Sequence, residues 1–489
     1  MNNSLTAPVK ELGELNELLD EIKRRKKPVL ATGCVDAEKA NFMEAVAEGL
    51  NKKNKVIITY DEIRAREIAA DMKLYDKSAL LYPAKDIMFF SADVHGNAIV
   101  SERLAVVKKI TESDSATVVL SIEAGLGKGL PVSYILKNII TVKTGEILEL
   151  PKFRAKLTAM GYEYAAQVSG KGQFSVRGGI IDIFSLTEET PYRIELWDDE
   201  VDTIRSFDVE SQRSIENIDE ILIYPASEMI VDEKRKEAGL KKLNKAKETQ
   251  VNKLRSLMKT EEAARLNAIV EEFKDNLDIY GSSFGIESYI SYFFDETESF
   301  IDYFGDDTIF FVDEPLRVEE RGQAVLDEWR ESMSSRLEKG YVTAEQSDSL
   351  YDYKEVLSKL AEKRVVLISL LERKTGLFNV SKTFDITAKN INPYNSNFPL
   401  LIKELTRYKE EKYKVMFVVS SGSRAERLAE DLRENGLNSV FAKDYERIPA
   451  EGEVIIVKGN LRKGFEYPLI RFAVISDGDV FGIEKKKRN

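Results

Sequence analysis

The sequence predicts an α/β protein: a parallel sheet built around a degenerate P-loop, an inserted β-rich antiparallel module, and a small α/β domain at the C-terminal end. Three observations predict it. Between residues 28 and 140, short runs of Val, Ile and Leu alternate with amphipathic stretches, as buried parallel strands and their covering helices do. From about 138 to 228 the apolar period shortens to two, with Gly-Gly and Asp-Asp punctuation that suits antiparallel hairpins. Buried-strand runs then return at 307–315 and 363–371, and a last strand–helix alternation starts near Asn379.

In chain order, "PVLATG", "KVIITY", "SALLYPA" and "TVVLSIEA" are read as strands of the first sheet. The helix after the first strand places Phe42, Val46 and Leu50 four residues apart on one face, with Asp36 as its N-cap. The β-rich module follows in "GQFSVRGGIIDIFSL", "PYRIELWDDEVDTIRSFDV" and "EILIYPA". Residues 233–275 read as one long helix rich in Lys and Glu. "DTIFFVDEP" and "KRVVLISLL" read as strands that rejoin the first sheet, which makes the module an insertion. The expected units are 1–138 (first part of the P-loop domain), 139–228 (β module), 229–375 (return to the first domain with long helices) and 376–489 (small α/β domain). The closing run "EKKKRN" reads as a cut within a linker.

At 489 residues the chain is too long for one core. With 43% hydrophobic and 32% charged residues and no apolar run near the ~18 residues of a membrane span, it reads as a soluble, cytoplasmic chain. One cysteine excludes an internal disulfide framework, and one histidine excludes a Cys/His zinc site and argues against a His-based triad. A net charge of −12 argues against binding nucleic acid over the whole surface, which would have to neutralise phosphates. The basic run from Lys234 to Lys259 is read as a solvated helix face, with non-specific DNA contact as the alternative.

The chemistry-bearing motif is "GCVDAEKA". Gly33 and Lys39 have the spacing of G-x-x-x-x-G-K-[ST], the loop that opens a helix in RecA-like sheets. Glu38 stands where the second Gly lets backbone N–H groups wrap phosphate, and Ala40 lacks the hydroxyl that holds Mg²⁺. A carboxylate facing a polyanion opposes binding by about 4 kcal/mol per like-charge contact at ~4 Å. Asp313 and Glu314, after the strand "TIFFV", have the place of a Walker B pair that could hold Mg²⁺ and orient water. Without a working loop they read as a degenerate pair capping a Pro-started helix. No catalytic residue, metal ligand or cofactor is assigned. In "SSGSRAERLAEDL" Ser420 to Ser423 read as a plain N-cap, with anion binding as the alternative.

The ordered blocks at 172–185, 191–214 and 223–228 closely resemble the segment shared by bacterial UvrB and the transcription-repair coupling factors. The flanks "YPAKDIMFF…VHGNAIVSERL", "FGIESYISYF" and "RKGFEYPLIRFAVISDGDVFG" are similar to the coupling factors specifically. UvrB itself keeps an intact Walker A loop and an aromatic DNA-clamping hairpin, and here only about twenty residues separate Tyr82 from Leu104. The resemblance implies that the β module binds UvrA. By the resemblance its contacts would be Arg177, Arg193 and Trp197; independently, "YRIELW" puts Arg193 and Trp197 on the face opposite Tyr192, Ile194 and Leu196. Arg177 pairing with Asp182 or Asp198, and Trp197 packing under a loop, are the structural alternatives.

The resemblance further implies a full-length ATP-dependent DNA translocase. Its motor and RNA polymerase-binding parts would lie beyond this chain, and its own C-terminal domains would mask the UvrA face at rest. RNA polymerase and DNA would then be engaged mainly by those other parts. An active UvrB-like ATPase handling damaged DNA is the rival reading.

Overall fold

The computed structural model describes residues 3–85, 95–283 and 285–482, with side chains from residue 98 onward in the helix His95–Glu112. Residues 86–94 and Phe284, which belong to two of the resembling blocks, lie outside the described residues, as does the closing charged run.

Seven parallel strands form the first sheet, in the spatial order Thr383–Asp385, Val29–Thr32, Val365–Ile368, Thr308–Asp313, Asn54–Thr59, Thr117–Ser121, Leu80–Tyr82. All the apolar runs read as strands are there. The two that follow the module pair directly with strands that precede it: Phe311 lies opposite Ile57, and Val366 opposite Val29. The β module is therefore an insertion between Thr117–Ser121 and Thr308–Asp313. The edge strand Thr383–Asp385 falls inside the stretch read as the opening of the last α/β unit. It pairs with Val29–Thr32, so the chain leaves the first sheet only after Asp385.

The inserted module is a six-stranded sheet ordered Ser214–Asn217, Glu200–Phe207, Tyr192–Trp197, Ile180–Phe184, Gln173–Arg177, Glu163–Tyr164. Its pairs are antiparallel except the last. Gly178-Gly179 and Asp198-Asp199 make the two-residue turns, with φ of 62° at Gly178 and 58° at Asp198. Beside it, Ile140–Lys143 pairs with Glu220–Ile223, tying the two ends of the module together.

The basic stretch after the module is not one helix. Glu233–Ser256 and Thr260–Tyr280 form a hairpin that reverses at Met258, whose φ is 59°. The ion pairs Lys236–Asp278 (2.8 Å) and Lys247–Glu271 (2.5 Å) cross-link the two antiparallel helices. A Met in the left-handed region makes this break without the Gly or Pro that would have announced it.

The last unit is a six-stranded sheet with a parallel centre (Lys414–Val419 between Glu453–Lys458 and Phe472–Ser476) and the antiparallel strand Phe465–Tyr467 toward one edge. One face of it shares a core with the first domain. Met416, Val418, Ile455, Phe465, Tyr467 and Phe472 belong to the same buried cluster as Ala37, Ala40, Phe42 and Val46 of the P-loop helix. The helix face anticipated at Phe42, Val46 and Leu50 is thus buried partly against the last domain. Among the described residues, no helix is long and apolar enough to cross a membrane.

Candidate functional site

The predicted contact residues lie on one face of the module's sheet. Strand register sets Asp182 opposite Arg193 on one side and Ser175 on the other. Arg177 is two residues beyond Ser175, and Trp197 four beyond Arg193, so alternation brings all three side chains to the same surface. Tyr192, Ile194 and Leu196 face the module's core instead.

Asp182 organises this face. It is fully buried, and its Oδ1 accepts from Arg193 Nε at 2.7 Å. Its Oδ2 accepts from Arg193 Nη2 at 2.9 Å and from Arg177 Nη2 at 2.6 Å. Arg193 Nη2 also donates to Gln212 Oε1 at 3.0 Å, and its guanidinium lies 4.4 Å from the centroid of the buried Phe207 ring. Hydrogen bonding to Asp182 holds the Arg193 pKa above its ordinary value. Arg193 is 16% exposed and fixed, whereas Arg177 is 45% exposed. Arg205, on the next strand, pairs with Glu195 and extends the polar network. Trp197 is 80% exposed, so it does not pack under a loop. Arg177 does take Asp182 as partner, while keeping much of its surface free. A bidentate anchor through a buried carboxylate fixes a guanidinium with little rotamer freedom left to lose on binding. Asp182 is the residue sequence reasoning undervalued; an Asp between Ile181 and Ile183, opposite an Arg, was its signal.

The degenerate loop is closed from within and from above. Lys39, almost wholly buried, sends Nζ to Asp313 Oδ1 (2.7 Å), Glu314 Oε1 (2.7 Å) and Asp36 Oδ1 (3.1 Å). Asp313 also accepts from Thr59 Oγ1 (2.8 Å) and Arg64 Nε (3.2 Å). Burial works against the Lys39 charge, but Asp313, Glu314 and Asp36 more than offset it and raise its pKa. Burial opposes ionisation of Asp313 too, but Lys39 and Arg64 outweigh it and hold its pKa low. The ammonium supplies the positive charge that a nucleotide-bound divalent ion would bring to these acids, and its own donors are spent on them rather than on phosphate.

Two expectations are corrected here. Asp36 is not the helix N-cap: the helix runs Lys39–Gly49, Glu38 occupies the cap position without a side-chain bond, and the Asp36 carboxylate goes to Lys39 and Arg64. Glu314 is not a capping side chain either. It sits before Pro315–Glu338 with φ 52°, and its carboxylate accepts from Lys39 and from Leu370 N (3.0 Å).

Glu38 acts differently from the exposed carboxylate that simple repulsion assumes. It is fully buried where the last domain meets the loop, with Tyr467 Oη 3.4 Å from its Oε1 and, among the described residues, no hydrogen-bond partner for Oε2. Burial pushes its pKa up to about 8, with Lys39 and Tyr467 opposing the shift, so the carboxyl is mostly neutral at pH 7. Ala40 is buried in the interdomain core, and Tyr467 also donates to Asn41 Oδ1 at 3.0 Å. The second glycine and the hydroxyl are replaced by groups that pack.

At the last domain's helix Gly422–Glu434, Ser421 holds the N-cap position without a side-chain cap bond. The anion nearby is internal: Asp477 Oδ2 accepts from Ser420 N (2.8 Å) and Ser420 Oγ (2.7 Å).

Residues 140–229 match the UvrB interaction domain family. Over almost its whole length, the chain is similar to curated transcription-repair-coupling factors. The Bacillus subtilis (strain 168) protein is 28% identical over 483 residues, 98% of this chain and 40% of its own length. That of Staphylococcus epidermidis (strain ATCC 12228) is 29% identical over 479 residues, covering 96% and 39% respectively. That of Staphylococcus aureus (strain Mu50) is 28% identical over 492 residues, covering 99% and 40%. The chain thus spans about two fifths of the length of these relatives. The resemblance read from the sequence blocks extends over nearly every residue.

Proposed function

We propose that this chain is a non-catalytic recruitment region of a transcription-repair coupling factor. It binds UvrA through Arg177, Arg193 and Trp197 and so brings nucleotide excision repair to RNA polymerase stalled at a DNA lesion. The observation that carries the reading is the face itself: two arginines anchored on one buried carboxylate beside an exposed Trp, within the segment that matches the UvrB interaction domain. Arg and Trp are the residue types that concentrate binding energy at interfaces, and Arg193 is held in place before any partner arrives. The motor and the polymerase-binding parts belong to other segments of the full-length protein, and contact of this face with C-terminal domains would keep it masked at rest.

The non-catalytic part of the proposal rests on Lys39. Releasing it to a nucleotide would strip Asp313, Glu314 and Asp36 of their cation. The test is calorimetric titration with purified UvrA, comparing wild type with Arg193→Ala/Trp197→Ala. Micromolar or tighter binding that disappears in the folded double variant supports both the function and the face. A wild type that does not bind refutes the function, and binding that survives the double variant refutes the face. Titration with Mg-ATP is expected to give no binding heat, and saturable binding refutes the non-catalytic reading.

A further inference from the structure

The helical hairpin inserted after the β module ends in a point whose makeup the recruitment reading leaves unused. Leu257 is 59% exposed and Met258 is 90% exposed, side by side at the reversal between the two helices. Met258 sits at the reversal itself, in the left-handed backbone region with φ 59°.

The charges change character along the hairpin. Nearer its base, Lys236, Lys242 and Lys247 are paired with Asp278, Asp295 and Glu271. Around the tip, among the described residues, no carboxylate lies within salt-bridge distance of Lys253, Arg255, Lys259 or Arg265. Lys259 and Arg265 instead reach the backbone oxygens of Glu338 (3.5 Å) and Lys339 (2.6 Å). Arg265 also stacks at 4.7 Å on Tyr341, which is itself nearly half exposed. Lys253 and Arg255 are two residues apart on a helix, about 200° round its axis. Glu261 and Glu262 open the second helix beside them, so the tip from Lys253 to Arg265 carries four cations against two carboxylates, a net positive charge spread over several sides.

A convex apolar point with a net positive surround suits a concave, anionic partner. A flat apolar patch with a polar rim would fit a protein partner better. We infer that the tip of this hairpin is a contact for double-stranded DNA, with Lys253, Arg255, Lys259 and Arg265 on backbone phosphates and Met258, backed by Leu257, entering a groove as a wedge. Leu and Met flanked by Lys and Arg are the side chains that architectural proteins push between base steps. The hairpin is two helices wide, too broad for a groove ~6 Å across, so only the tip side chains enter. With the whole chain at −12, attraction is local, and the complex is weak and salt-sensitive.

The test is fluorescence anisotropy of the full chain with a labelled 20-base-pair duplex at low salt, with 2-aminopurine reporting unstacking. Dissociation constants of roughly 1–100 µM are expected, with affinity falling by a log–log salt slope of about −3 to −4 for three or four phosphates. Lys253→Glu/Arg255→Glu is expected to weaken binding at least about tenfold. Met258→Ser should leave the salt slope unchanged and abolish the 2-aminopurine signal. Lys241→Glu, exposed on the same helix but remote from the tip, should change neither. All these residues are exposed, and unchanged circular dichroism would establish that the variants fold. The inference is overturned if no duplex binding occurs at low salt or if tip charge reversal leaves binding intact. Tip-dependent binding of poly-L-glutamate without the duplex would also overturn it, and would reassign the surface to an acidic protein.

Discussion

Replacing Glu38 by Gln tests how the loop is sealed. The carboxyl is fully buried between the P-loop helix and Tyr467, and burial lifts its pKa from 4.5 to about 8. A raised carboxylate pKa means that the folded state keeps a proton which the unfolded chain releases from pH 4.5 upward. Stability must therefore fall as pH rises through the window from 4.5 to about 8, and level off above it. At about 1.4 kcal/mol per pKa unit, the cost is roughly 1 kcal/mol at pH 5, about 3 at pH 7 and about 4 at pH 8. Gln has nearly the same shape and no proton to lose, so Glu38→Gln should escape this cost.

The assay is hydrogen exchange of the helix Lys39–Gly49, converted to opening free energies for variant and wild type at pH 5, 7 and 8. Local opening suits a chain of several domains better than one global transition does. The expected result is a stabilisation by Gln that grows with pH, from about 1 to about 4 kcal/mol. A difference independent of pH would mean that Glu38 is ionised throughout, held by Lys39, and would refute the reasoning.

Trp197→Ala should change stability by less than about 0.5 kcal/mol in urea titration, since the ring is 80% exposed, while lowering UvrA affinity at least about tenfold in calorimetry. Asp182→Ala should destabilise the module by about 3 kcal/mol in thermal unfolding, because it strands Arg193, which is mostly buried, beside Phe207; Asp182→Asn should cost less. Lys39→Met leaves Asp313 buried with Arg64 as its remaining cation and should cost about 3–5 kcal/mol by the same measurement, with no gain of Mg-ATP binding. Gly340→Ala places a Cβ about 2.1 Å from Glu262 O at φ 70° and should cost more than ~2 kcal/mol in urea titration, unlike the unobstructed Gly436→Ala, which bears only its positive φ.

What the sequence disclosed was local or periodic. Buried strands announce themselves as Val/Ile/Leu runs whatever they pair with, and the switch to period two locates the module because a half-exposed sheet alternates. Parity placed Arg193 and Trp197 on one side, since they are an even number of residues apart, whereas Arg177 came from the family resemblance. Their attachment to Asp182 needed the register between strands, which no single strand encodes. The hairpin break at Met258 was hidden because the residue there carries no turn chemistry, and packing of the two helices imposes the reversal that local preference does not.

The loop gives the sharpest case. Glu38 and Ala40 were legible as losses, since each fails a defined task in phosphate and metal binding. The physical means of closure was not legible, because Lys39 meets Asp313 across 274 positions and Tyr467 reaches Glu38 across 429. Here each lost ligand contact has a replacement: the ammonium stands in for the metal's charge, and the last domain fills the space above the helix. The degenerate motif has thus become the joint between two domains. Its residues are kept by packing and ion pairing, and Tyr467 and the Lys39 pairs would still occupy the loop if the second glycine and the hydroxyl were restored.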